Sequence, residues 1–167
     1  MKVTLLIPTL NEIDGMKAIM PKIKPEWYDQ LLIVDGQSTD GTIEYCREKG
    51  YPIVIQQKKG MRNAYMEALP HVTGDVILTF SPDGNSIPEL IPACIAKMKD
   101  GYDQVIVSRY AAGARSYDDD AVTAFGNKMF TSFINFFHGG HYTDAMVIYR
   151  AYKKQLIYDL DLDKDSS

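Results

Sequence analysis

Cysteine is scarce: only Cys46 and Cys94 occur in 167 residues. Two such residues cannot build a disulfide scaffold, and they lack metal-ligand spacing, so both read as reduced, buried thiols. Long apolar runs are also missing. None approaches the ~18 residues a membrane span requires, and Met1-Lys2 leads straight into a strand pattern in place of a signal peptide. The expectation is a cytoplasmic protein. Basic excess is absent too: 18 Lys and Arg against 22 Asp and Glu leave a net charge of −4, with no basic cluster, which argues against a nucleic-acid binder. There are no internal repeats and no low-complexity linker. Hydrophobic residues at 46% and charged residues at 24% are ordinary globular values, which excludes global disorder. The length suits one domain with a sizeable core.

What is present is alternation. Strands are predicted at Val3–Ile7, Leu31–Val34, Ile53–Ile55, Val76–Phe80 and Val105–Val107, with helices near Gly15–Ile23, Thr42–Lys49, Arg62–Leu69 and Glu89–Met98. Ser86 and Glu89 have capping-box spacing around Pro88, and Gly50 and Gly101 fall where helix C-caps are expected. This order implies an α/β protein with a mostly parallel central sheet and helices on both faces. Beyond Tyr110 the pattern changes to a loop at Ala111–Asp120, an apolar helix at Ala124–Phe137, a short strand at Met146–Tyr149 and a last helix near Tyr152–Tyr158. The phenylalanines at 125, 130, 133, 136 and 137 read as core.

Two strand ends carry the chemistry. Leu31–Val34 is a run of four apolar residues, typical of a strand buried on both faces. Asp35 ends it, at the carboxyl edge where open α/β sheets place their ligand crevice. There a carboxylate can accept hydrogen bonds from a base N–H or a ribose hydroxyl. Ser38, Thr39 and Asp40 can cap the helix beginning near Gly41. Taken alone, the segment reads equally as an ordinary turn. Val3–Glu12 repeats the design, with Pro8 stopping the strand and Asn11 and Glu12 at its tip.

Ile7-Pro-Thr-Leu-Asn-Glu12, Val34-Asp-Gly-Gln-Ser-Thr-Asp-Gly-Thr42 and Gly74–Asp83 together resemble the family-2 glycosyltransferases of the GT-A fold. Val107-Ser-Arg-Tyr110 and Thr143-Asp144 through Tyr149-Arg150 extend the resemblance, which is strongest to the polyprenyl-phosphate, dolichyl-phosphate mannose synthase-like branch. It implies a nucleotide-diphosphate sugar donor held by Pro8, Thr9, Asn11, Glu12, Asp35, Ser38, Lys59, Arg62 and Arg109. It also implies transfer with inversion, by in-line displacement, to a polyprenyl phosphate or a growing glycan. Residues 1–167 are then one nucleotide-sugar-binding domain of GT-A type. Members of that branch continue with further helices, so the chain is expected to be truncated at its C-terminus or a minimal member. Peripheral contact with the inner face of a membrane would follow from a lipid acceptor.

The family's Asp-x-Asp motif, with Gln two residues later, corresponds to Ser81, Asp83 and Asn85. These residues are the expected ligands of Mg2+ or Mn2+, which would neutralise charge on the departing diphosphate. Ser81 replaces the first acid. Asp144 matches an acid near the acceptor that would position or deprotonate the nucleophile, so it and Asp83 are the catalytic candidates. The Ser-Gly-Phe that usually follows is here Ala145-Met-Val147, which points to a different acceptor side. Lys58–Ala64 reads equally as a diphosphate-facing helix start or a solvated basic face. His138 and His141 read as structural or exposed, and Asp118–Asp120 as a solvated loop. Two other functions remain open from sequence: a catalytically silent nucleotide-sugar-binding module and a nucleotidyltransferase.

Overall fold

The computed structural model describes residues 1–110 and 121–164, without the side chains of 121–124 and 138. The expected loop at 111–120, with Asp118–Asp120, lies outside the described residues. Six strands form one sheet: β1 (Val3–Thr9), β2 (Gln30–Asp35), β3 (Ile53–Ile55), β4 (Val76–Thr79), β5 (Gln104–Ile106) and β6 (Arg150–Lys153). Their order is β3-β2-β1-β4-β6-β5. The pairs β2–β3, β1–β2 and β1–β4 are parallel, while β6 runs antiparallel to both β4 and β5. The expected α/β class and mostly parallel sheet are thus observed. The helices are α1 (Ile13–Ile19), α2 (Thr42–Glu48), α3 (Met61–Ala68), α4 (Ile91–Lys99), α5 (Ala121–His138) and α6 (Gln155–Asp159).

Alternation along each central strand assigns its residues to two cores. Leu5 and Ile7 of β1, Leu31 and Ile33 of β2, and Val76 and Leu78 of β4 pack with Met16, Cys46, Ile91 and Cys94 from α1, α2 and α4. The intervening Leu6, Leu32, Val34 and Ile77 pack with Ala64 and Ala68 of α3 and Ile157 of α6. A strand buried on both faces must be apolar at every position, which is why β2 reads as a continuous hydrophobic run. Both cysteines are buried free thiols, as expected, and burial pushes each up to about 11. Gly50 closes α2 in a left-handed conformation: its N–H donates to the Arg47 carbonyl while the Tyr51 N–H donates to Cys46.

Four expectations need correction. The late strand is Arg150–Lys153, not Met146–Tyr149, because the ladder to β4 pairs Arg150 with Thr79 and Lys153 with Val76. The last helix accordingly starts at Gln155. Ser86 and Glu89 form no capping box: a 3-10 turn at Pro88–Leu90 leads into α4, and neither has a side-chain cap. The phenylalanines of α5 are not core. Phe125, Phe130, Phe133, Phe136 and Phe137 are all at least half exposed.

Candidate functional site

Every strand tip singled out in the sequence lies at one edge of the sheet. β1, β2, β3 and β4 run parallel and end there, and the antiparallel β6 begins there. At the centre is Asp35, fully buried. Its Oδ1 accepts the Ser38 N–H at 2.7 Å, and its Oδ2 accepts the Thr9 and Ser38 hydroxyls at 2.8 and 2.7 Å. A buried carboxylate is tolerated when its lone pairs are filled in this way. Asp35 therefore ties β1 to the loop after β2, and the surface it supports is presented by Asn11 and Thr39, over the buried Ser38. The Asn11 N–H donates to Ser38 Oγ (2.7 Å), and its Oδ1 accepts the Thr39 N–H (2.9 Å). Asn11 and Gln37 both hold positive φ, at 55° and 69°. Strained backbone of this kind persists only where surrounding bonds fix it. Contrary to expectation Pro8 does not stop β1 but sits within it, paired with Val34, and the strand ends at Thr9.

Glu12 follows directly. Its N–H donates to Thr42 Oγ1 at 3.0 Å, and the Asp40 Oδ1 accepts from that same hydroxyl at 2.6 Å. Burial, then the charges of Asp83 and Asp40, push the Glu12 carboxyl above its ordinary range. A Cβ on Gly15 would meet both the Pro82 carbonyl oxygen (2.2 Å) and Glu12 Oε2 (3.4 Å), so the loop that carries Asp83 lies beside Glu12. Asp83 is exposed, and its Oδ1 accepts the Asn85 N–H at 2.9 Å. Asn85 is exposed and Ser81 half-buried. Among the described residues no group of three His, Cys, Asp or Glu side chains is gathered for a metal ion. The donors on offer are one carboxylate, an amide oxygen and a hydroxyl. They suit a hard, oxygen-preferring cation that completes its shell from a ligand.

The second half of the site is a tight ion pair. Arg109, three residues past β5, donates from Nε to Asp144 Oδ2 at 2.9 Å and from Nη2 to Oδ1 at 3.2 Å. Asp144 is 1% exposed. Its Oδ1 also accepts Asn127 Nδ2 at 2.8 Å and the Met146 N–H at 3.3 Å, and its Oδ2 accepts the Arg109 N–H at 3.2 Å. Burial alone would raise this carboxyl. Hydrogen bonds from Arg109 and Asn127 outweigh it and hold Asp144 below the usual carboxylate range. The two residues expected separately, as phosphate ligand and acceptor base, are thus each other's partners.

The sequence reading missed Asn127 and Thr131. Thr131 Oγ1 donates to Asn127 Oδ1 at 3.1 Å and accepts the Ala145 N–H at 3.1 Å, and Asn135 pairs with the Tyr142 backbone in both directions at 2.8 Å. Polar residues at 127, 131 and 135, four apart in an apolar helix, were the available signal. Arg62 sits elsewhere: its guanidinium donates to the carbonyls of Leu162 (3.3 Å) and Lys164 (2.7 Å). Lys59 is exposed in the turn before α3.

The family model for glycosyl transferase family 2 matches residues 4–161. The chain belongs to that family. Among curated relatives of this family 2 chain, glycosyltransferase AglJ of Haloferax volcanii is 29% identical over 98% of the chain and 54% of its own length. An undecaprenyl-phosphate 4-deoxy-4-formamido-L-arabinose transferase of Klebsiella pneumoniae is 30% identical over 93% of the chain and 50% of its own length. A dolichol-phosphate mannosyltransferase of Pyrococcus furiosus is 31% identical over 69% and 35%. The chain therefore spans about half the length, or less, of these relatives. In fold it is similar to glucosyl-3-phosphoglycerate synthase of Mycobacterium tuberculosis, whose complex with Mg2+ and UDP superposes with a TM-score of 0.76 at 20% identity. That superposition covers 93% of this chain and 57% of that one.

Proposed function

We propose that the chain is the donor-binding part of an inverting family 2 glycosyltransferase, which moves a sugar from a nucleoside diphosphate to a polyprenyl phosphate. The observation that carries this reading is the shared sheet edge: the Asp35 network, the Glu12–Asp83 pair and the Arg109–Asp144 pair all lie along it. The relatives named for undecaprenyl-phosphate and dolichol-phosphate chemistry favour a lipid phosphate over a glycan as acceptor. All three relatives are named for the transfer of sugars, which favours this reading over a nucleotidyltransferase or a silent binder. In this reading the protein would meet its lipid acceptor peripherally, at the inner face of a membrane. No described helix is long and apolar enough to cross one.

In this reading Asn11 and the loop after β2, fixed from below by the buried Asp35, Thr9 and Ser38, cradle the nucleoside, while Glu12 borders it. Pro8 lies within β1 next to Thr9, while Lys59 and Arg62 lie at the start of α3, where Arg62 binds the carbonyls of Leu162 and Lys164. Asp83, with Asn85 and Ser81, would hold Mg2+ or Mn2+, which when bound neutralises the charge left on the diphosphate. Arg109 meets a phosphate, and Asp144 acts as a positioning residue that fixes its direction. An acceptor phosphate is already an anion and needs no strong base, so a low-pKa carboxylate locked in an ion pair is consistent with this role. In-line attack then depends chiefly on how the two substrates are held.

Titration calorimetry of the common nucleoside diphosphates, with and without Mn2+, tests the reading. Binding of one of them, tightened by Mn2+, is expected; failure of all to bind in the presence of metal would overturn it. Release of nucleoside diphosphate from the matching donor on addition of a polyprenyl phosphate tests the transfer step.

A further inference from the structure

Gln56, the residue after β3, is only 6% exposed, yet one of its polar atoms has no protein partner. Its Nε2 donates to the carbonyls of Lys58 and Gly60, the latter at 2.7 Å. Carbonyl oxygens only accept, so this end of the amide is the NH2 and both of its hydrogens are used. The other end is Oε1. No described donor reaches it. It is not sealed in either, because no fully enclosed side-chain oxygen or nitrogen among the described residues lacks a partner. Buried side-chain polar atoms are normally paired, so an amide oxygen left open in the protein wall points to a ligand.

The backbone holds this oxygen in place. The Gln56 N–H donates to the Asp35 carbonyl at 2.8 Å, and the Gln56 carbonyl accepts Gln37 Nε2 at 2.9 Å. With the two side-chain bonds, these tie Gln56 to the loop after β2 and to the turn before α3. Oε1 lies beside Gly36: a Cβ there would be 3.5 Å from it, 3.5 Å from the Thr9 carbonyl oxygen and 3.3 Å from Leu10 Cδ1. The lack of a side chain at Gly36 leaves the oxygen approachable, at the same sheet edge as Asn11 and Thr39. Leu10, 60% exposed, supplies an apolar surface alongside, on which a flat ring can lie.

A fixed acceptor with no hydrogen left to donate selects a donor. We infer that Gln56 is the specificity-determining residue for the nucleobase, its Oε1 accepting a ring N–H. Uracil N3–H and guanine N1–H supply that hydrogen. Cytosine N3 and adenine N1 carry a lone pair in the same place, and would leave the amide oxygen both desolvated and unpaired. This inference rests on the nucleotide-sugar reading of the site and adds to it the base edge that the site reads.

Calorimetry of UDP, GDP, CDP and ADP in Mn2+, using the whole chain, tests it. UDP or GDP is expected to bind roughly tenfold or more tightly than CDP and ADP, and whichever of the two leads identifies the base. The analogue whose ring N–H is methylated, N3-methyl-UDP or N1-methyl-GDP, should lose the same factor on the wild type. Gln56→Leu should bind the parent nucleotide and its methylated analogue equally. A merely structural role for Gln56 would lower both affinities and keep their ratio, so the ratio is the deciding readout. As a second variant, Gly36→Ala, at a position without positive φ, sets a methyl beside the oxygen. It should weaken the favoured nucleotide with little change in thermal stability. No base preference, a preference for CDP or ADP, or a methylation ratio that survives in Gln56→Leu overturns this inference and leaves the donor-site reading standing. Failure of all four nucleotides to bind overturns both.

Discussion

A Cβ placed on Gly15 would lie 2.2 Å from the carbonyl oxygen of Pro82 and 3.1 Å from its carbonyl carbon. The first turn of α1 and the loop after β4 approach so closely that only glycine fits. This approach brings the loop that carries Asp83 beside Glu12, whose own Oε2 would be 3.4 Å from the same Cβ.

Gly15→Ala should therefore damage the site despite favouring the helix. Alanine contributes about 1 kcal/mol in a helix interior, but the clash must push residues 81–83 away, at a cost of about 1–3 kcal/mol. The expected outcome is no gain in thermal stability and weaker Mn2+-dependent nucleotide binding, read by calorimetry.

Asp35→Ala removes the acceptor for three donors, the Ser38 N–H and the Ser38 and Thr9 hydroxyls. Leaving buried donors unpaired costs about 1–3 kcal/mol. Denaturant unfolding should show that loss, and nucleotide affinity should fall with it because Asn11 and Ser38 lose their anchor.

Metal binding should depend on pH through Glu12. Its carboxyl is held above its ordinary range by burial and by the charges of Asp83 and Asp40. A cation at Asp83 favours the ionised form, so binding releases a proton and tightens as pH rises through the Glu12 titration. Glu12→Gln should flatten that slope, and Asp83→Asn should abolish the metal-dependent gain in nucleotide affinity. Calorimetry in buffers of different ionisation enthalpy measures the proton release directly.

Asp144 has the opposite sign. Its folded pKa lies below the unfolded value of about 3.9, so the pairing stabilises the fold fully above that value and is lost as pH falls through the lower folded one. Acid unfolding of wild type should steepen there, and Asp144→Asn should be less sensitive over the same range. Asn127→Ala should lower kcat for transfer to a lipid phosphate more than it raises donor KM, because Asn127 acts through Asp144.

Ser81→Asp restores a carboxylate beside Asp83. Added negative charge in a cluster of oxygen donors should tighten Mn2+ binding and raise the Glu12 pKa further in the metal-free protein, both visible by titration.

The sequence by itself determined the four parallel strands and the positions of their tips. A short apolar run rich in branched residues such as Leu31–Val34, bounded by turn residues, suits a strand buried on both faces, and the small and acidic residues after it suit a turn at the carboxyl edge. Family membership was legible for the same reason, since it lies in contiguous motifs at those tips. Tertiary structure decided what contiguous reading cannot reach. β6 begins at Arg150 because its partner is Thr79, remote in sequence. Arg109 and Asp144 pair because β5 and the segment before β6 end beside each other. The phenylalanine stripe of α5 has the spacing of a core helix. It faces outward because Asn127, Thr131 and Asn135 find polar partners inward, and hydrophobic periodicity gives a helix two faces without stating which one the protein covers.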